Sequence, residues 1–138
     1  MKSKLGMCLL GLLIACATLA QQDPTKPVLR KGIRVEMPVS SQAREMREAD
    51  EEDATVIAIT AEGNLFVGIQ PAELSSLSQL NAATVYVKAD ARVSYQKLLT
   101  MLDALRGHSV VLLTSSPSSG QSSQISWPYG VKVMLGPQ

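Results

Sequence analysis

Ala83-Thr-Val-Tyr-Val-Lys-Ala-Asp90, then Val93-Ser-Tyr-Gln-Lys-Leu-Leu-Thr-Met-Leu-Asp-Ala-Leu-Arg106, then Ser109-Val-Val-Leu-Leu-Thr114 is the stretch that decides the fold. The first run alternates. Val85 and Val87 share one face of a strand, and Tyr86 shares the other with Thr84 and Lys88. The second run carries Tyr95, Leu98, Leu99, Leu102 and Leu105, spaced as one stripe of a helix. Ser94 or Asp90 can accept from its free N–H groups, and Gly107 stands where helices stop. The third run is continuously apolar, as a buried central strand is. Strand, helix, strand in this space predicts a right-handed crossover between parallel strands.

Working outward, Thr55-Val-Ile-Ala-Ile-Thr60 places Val56, Ala58 and Thr60 on one face and Thr55, Ile57 and Ile59 on the other. Both faces carry apolar residues, so both are expected to be covered. A turn at residues 61–64, with φ > 0 at Gly63, leads to a short strand at residues 65–67. A second turn precedes Pro71, a good first helical residue, and Leu74, Leu77 and Leu80 predict a short helix over residues 71–80. Residues 115–126, rich in Ser, Gly and Gln, read as a flexible loop. Trp127-Pro-Tyr-Gly130 reads as a turn. Residues 131–135 form a last strand, an exposed-edge candidate that pairs within the domain or with a second copy. The fold class is α+β: a small mixed β-sheet with two helices on one face.

The chain has 138 residues, enough for one small domain with a leader and tails. Its net charge of +1 gives no pull toward nucleic acid or an acidic substrate. Cys8 and Cys16 both lie in an apolar leader, so the folded part has no thiol for a disulfide, a zinc site or a nucleophile. The single histidine, His108, reads as a solvated residue after a helix. No acid–base pair, metal cluster or phosphate loop appears, so the expectation is no enzyme and no cofactor.

Met1-Lys-Ser-Lys4 is basic, and residues 5–20 are uncharged and mainly apolar. The run is shorter than the roughly 20 residues of a spanning helix, and it has the form of an export signal. Thr18-Leu19-Ala20 before Gln21 resembles a signal-peptidase site. Leu13-Ile-Ala-Cys16 resembles a lipobox, with Cys16 as a possible lipidation site. An uncleaved membrane anchor is the third reading. All three place the domain outside the cytoplasm, in the periplasm, and the lipobox and anchor readings tie it to the cell membrane by its N-terminus.

The domain boundaries expected are 1–20 signal or anchor, 21–53 extended and charged linker, 54–116 folded domain, and 117–138 loop and C-terminal strand. Within the linker, Gly32-Ile-Arg-Val-Glu-Met-Pro38 has a short strand pattern ended by Pro38. Residues 40–53 are polar and dense in charge, as a solvated linker or frayed helix is. Their clustered acids lack the spacing and central Gly of a calcium loop.

The pattern resembles the periplasmic domain of the ExbD/TolR family of biopolymer-transport proteins. Ile33-Arg-Val-Glu-Met-Pro38, Ile59-Thr-Ala-Glu-Gly-Asn-Leu-Phe66 and Val85-Tyr-Val-Lys-Ala-Asp90 with Val93 and Tyr95 carry the resemblance, joined by residues 98–105 and 110–114. It implies a non-catalytic accessory in a proton-motive-force-driven envelope transport system. The partners implied are ExbB/TolQ-like and TonB/TolA-like proteins and a second copy as homodimer. In the family a transmembrane helix carries an aspartate that takes part in proton translocation. Residues 5–20 contain no acid, and Asp23 lies beyond the apolar run. An exported or lipid-anchored envelope-binding module without a motor role is the alternative.

Lys88 and Asp90 match the family's strand end and are candidate partner contacts, against a plainer reading as a strand exit and a turn-forming Asp. Trp127 and Tyr129 are the other candidate contacts, since both residue types are enriched at hot spots. Tyr95 reads as a core-edge side chain with a wet hydroxyl.

Overall fold

The computed structural model describes residues 32–115 and 128–136. Among these, seven strands form one sheet: β1 (Arg44–Glu45), β2 (Thr55–Ile59), β3 (Leu65–Val67), β4 (Gln70–Ala72), β5 (Thr84–Ala89), β6 (Ser109–Thr114) and β7 (Tyr129–Val133). Their spatial order is β1-β7-β6-β5-β2-β3-β4. The centre is parallel: β2 pairs with β5, and β5 with β6. Both flanks are antiparallel. The sheet is therefore mixed, and helices α1 (Leu74–Leu77) and α2 (Tyr95–Ala104) pack on one face of it.

Alternation along the central strands sorts the core into two clusters. Ile57, Ile59, Val85, Val87 and Val110 point to the helix face and meet Leu77, Met101, Leu102 and Leu105. Full burial of each such side chain stabilises by about 1.5–3 kcal/mol. Val56, Tyr86, Val111 and Leu113 point the other way and form a second cluster with Ala49, bordered by Met37, Met46 and Ala54. Both faces are thus covered, as the apolar pattern of β2 requires.

The cover of the second face comes from an unexpected place. Residues 40–53, read as a solvated linker or frayed helix, hold β1 and a 3-10 turn at Arg47–Asp50. Ala49 is only 2% exposed. One small and one flexible apolar residue, Ala49 and Met46, suffice because Gly130 lies beneath: a Cβ there would stand 3.1 Å from the Met46 side chain and 2.8 Å from Val111. The missing side chain lets the turn approach β7. Residues 33–38 are not a strand; one isolated bridge, Val39 with Ser115, is all the pairing there.

Three further expectations change. The helix over residues 71–80 is shorter, because Pro71 sits in edge strand β4 opposite Phe66. Proline suits an edge, where no N–H is owed to a neighbour. On α2 the buried residues are Met101 and Leu102, while Tyr95 is 74% exposed. The stripe is rotated away from Tyr95 and Leu99 and runs through Leu98, Met101, Leu102 and Leu105. The last strand begins at Tyr129, inside the expected turn, and pairs antiparallel with β6 in this same sheet. Ser94 caps α2 by accepting from the Lys97 N–H at 3.4 Å, and Gly107 has φ +98° beyond its end.

Candidate functional site

The parallel strands β2, β5 and β6 all end at one edge of the sheet, and the candidate polar residues gather there. Lys88, on β5, points to the second face because its neighbours Val87 and Ala89 point to the helix face. It is buried, and its Nζ donates to the Ile33 carbonyl at 3.5 Å. Asp90 follows β5 directly, is 4% exposed, and donates its own N–H to the Ile59 carbonyl.

The Asp90 carboxylate has a full set of donors. Oδ1 accepts from the Arg92 N–H at 3.0 Å and from Arg92 Nε at 2.9 Å. Oδ2 accepts from Arg92 Nη2 at 3.1 Å and from the Glu36 N–H at 3.2 Å. The Arg92 guanidinium, then the Arg92 and Glu36 amides, hold this carboxyl well below the usual carboxylate range. Glu36 stands within 4.0 Å of Arg92 and completes a mixed-charge cluster. Arg92 and Glu36 were not singled out from sequence. The Asp-x-Arg spacing hints at Arg92; Glu36 contributes a backbone amide, which no side-chain motif records.

Neither Lys88 nor Asp90 therefore offers a free side chain to a partner in this fold; both fasten the chain to itself. Tyr129 is half-buried at the start of β7, facing Thr114. Cys16 and Trp127 lie outside the described residues. His108 is half-buried, and its Nδ1 donates to the Ala82 carbonyl at 2.7 Å. Tyr86, under the 3-10 turn, has its hydroxyl pushed up by burial, with Glu48, Glu51 and Asp53 adding to the shift.

An apolar hollow of about 240 Å³ opens beside α2, floored by Ile59, Leu65, Leu74 and Met101. The Lys97 stem lies over Gly63, and its ammonium donates to the Glu62 carbonyl. The hollow is below the roughly 300–1,000 Å³ of ordinary ligand pockets. Among the described residues, no group of three or more His, Cys, Asp or Glu is placed to hold a metal ion. No helix among them is long and apolar enough to cross a membrane.

The family model described as "Biopolymer transport protein ExbD/TolR" matches residues 5–116. No curated protein matches the chain. The matched stretch takes in the apolar run as well as β1–β6 and both helices, which is most of the chain. On that match the chain belongs to the ExbD/TolR family of biopolymer transport proteins.

Proposed function

We propose that this chain is a periplasmic, non-catalytic module of a proton-motive-force-driven envelope transport system. An accessory role in biopolymer transport is what its family does. The finer reading is that the domain stands on the periplasmic side, held near the cell membrane by the N-terminal segment. There it works with ExbB/TolQ-like and TonB/TolA-like proteins, as a homodimer. One observation carries this: the family match begins at residue 5 and so includes the apolar run, not the folded domain alone. Lys88, Asp90 and Arg92 act in this reading by shaping the strand ends, while Trp127 and Tyr129 are the candidate contact residues.

The test is co-purification from membranes. Full-length chain carrying a tag after Gln138 is expected to bring down an ExbB/TolQ-like protein from mild detergent. Recovery of the chain without it counts against the transport reading.

The absence of an acid in residues 5–20 favours a second reading, a stand-alone exported or lipid-anchored envelope-binding module. Mass spectrometry of the mature N-terminus separates the two. A diacylated Cys16, or an N-terminus at Gln21, supports the stand-alone module; an intact Met1 supports the anchored subunit.

A further inference from the structure

The three parallel strands start at one end of the sheet, at Thr55, Thr84 and Ser109. Two further pieces reach the same end. The β3–β4 hairpin turns there through Gly68 and Ile69, with the Gly68 N–H on the Val56 carbonyl at 2.8 Å. β7 finishes there, because Val133 lies opposite Val110, and Met134 is the next residue. Ile69 is 69% exposed and Met134 95%. In the hairpin turn, Gly68 with φ +61° meets the backbone demand. Ile69 is not a turn former and adds only apolar surface. Four strand spacings of about 4.8 Å separate β7 from β3, so the two side chains stand roughly 20 Å apart. Between them the strand starts bring hydroxyl groups, not charges.

The described chain also enters the fold at this end. A Cβ on Gly32 would stand 3.1 Å from the Gly68 carbonyl oxygen, beside the hairpin tip. Residues 21–31 separate Gly32 from the apolar run, and at no more than about 3.6 Å each they keep it within ~40 Å of that run. A single exposed apolar residue needs no partner. Two of them at the end from which the chain leads to an apolar run share a direction.

We infer that this end of the domain rests on the membrane surface, with Ile69 and Met134 as two apolar contacts in the headgroup layer. The inference rests on the reading in which residues 5–20 hold the chain to the membrane. The contact is apolar rather than ionic. Glu52 and Asp53 are exposed just before β2, and an anionic surface would repel them. Arg106, just beyond α2, is already paired with Asp103 at 3.0 Å. A zwitterionic surface is the one this end fits. Two side chains alone grip a bilayer weakly, but attachment of the same chain makes the encounter intramolecular and raises its effective concentration. With this end down, the carboxyl ends of β2, β5 and β6, with Arg92 and Tyr95, face away from the membrane.

The experiment is fluorescence quenching on the full-length chain, reconstituted into phosphatidylcholine vesicles that carry a nitroxide-labelled lipid. Cys8 and Cys16 are replaced by Ser. One fluorophore at a time is attached through Ile69→Cys, Met134→Cys or, at the opposite end of the sheet, Glu62→Cys. All three positions are exposed, so the label does not enter the core. Emission at 69 and at 134 is expected to be quenched severalfold more strongly than at 62, and to remain so at high salt, which screens ionic contacts and not apolar ones. In vesicle-bound chain, quenching at 69 or 134 that is no stronger than at 62, or that salt abolishes, would overturn the inference and leave the anchored reading standing. A chain that stays in solution would overturn both.

Discussion

The Arg92 guanidinium grips the Asp90 carboxylate at two points, Nε to Oδ1 at 2.9 Å and Nη2 to Oδ2 at 3.1 Å, although Arg92 is largely exposed and Asp90 is buried. The pair is only two residues apart in sequence, yet its carboxylate reaches Glu36 across a separation of 54. A forked contact of this kind holds geometry better than a single one.

The first prediction concerns acid. Asp90 is held well below its ordinary value by Arg92 and by the Arg92 and Glu36 amides. A carboxylate with a depressed folded pKa contributes stability that is fully present above its unfolded value, near 3.9, and lost as pH falls toward the folded one. Asp90→Asn has no such group to protonate. Its melting temperature by circular dichroism is expected below the parent's at pH 7, with the gap narrowing from about pH 5 downward. A gap that stays constant between pH 7 and pH 3 would refute this.

The second concerns the turn after β2. Gly63 has φ +89°, and a Cβ there would collide with Lys97 Cδ. Gly63→Ala thus meets two costs, left-handed backbone strain of about 1–2 kcal/mol and displacement of the Lys97 stem from the Glu62 carbonyl. Lys97→Ala removes the second cost alone. In a double-mutant cycle read by urea unfolding, Gly63→Ala is expected to be less destabilising in the Lys97→Ala background. Strict additivity would show that Lys97 yields without cost.

The third tests which side of α2 faces the sheet. Met101 is fully buried in the helix-face cluster, so Met101→Ala is expected to cost about 2–5 kcal/mol. Tyr95, 74% exposed, is expected to change stability by no more than about 0.5 kcal/mol when replaced by Ala. Equal losses at the two positions would show that Tyr95 is buried in solution.

These residues mark what the sequence alone conveys. The period of β2, β5, β6 and α2 was legible, because each strand buries apolar residues with period two and α2 keeps helical spacing. The phase of α2 was not: Tyr95 and Leu99 lie one step round the helix from Leu98 and Leu102, so two overlapping stripes fit the same leucines. Pro71 satisfies the rule for a first helical residue and the rule for an edge strand, and only pairing with Phe66 decides between them. The turn at residues 47–50 was hidden because Ala49 and Met46 are diluted among charges, and their packing depends on Gly130, far along the chain. At the candidate site, the Lys88–Asp90 strand end was visible as a motif. Its inward role was not, because Asp90's distant partner is a backbone amide.

The last prediction concerns self-association. β7 is paired along one side with β6, from Val110 opposite Val133 to Thr114 opposite Tyr129. On its other side, β1 covers only Tyr129 and Gly130. Among the described residues, the outer edge from Val131 to Val133 has no strand beside it, and an open edge of this kind invites a second copy in antiparallel, isologous pairing. Lys132 is exposed on that edge and points to the face opposite Val131 and Val133. Near a two-fold axis the same residue of each copy meets its twin. Lys132→Cys, with Cys8 and Cys16 replaced by Ser, is therefore expected to form a disulfide-linked dimer on mild oxidation of the full-length chain. Cysteine at exposed Asp103, on α2, is the control expected to remain uncrosslinked. A proline at Val133 is a poor probe, since it would disturb the domain's own ladder to Val110. Equal cross-linking at both positions would point to random collision, and no cross-link at Lys132→Cys in a chain that sediments as a dimer would place the interface elsewhere.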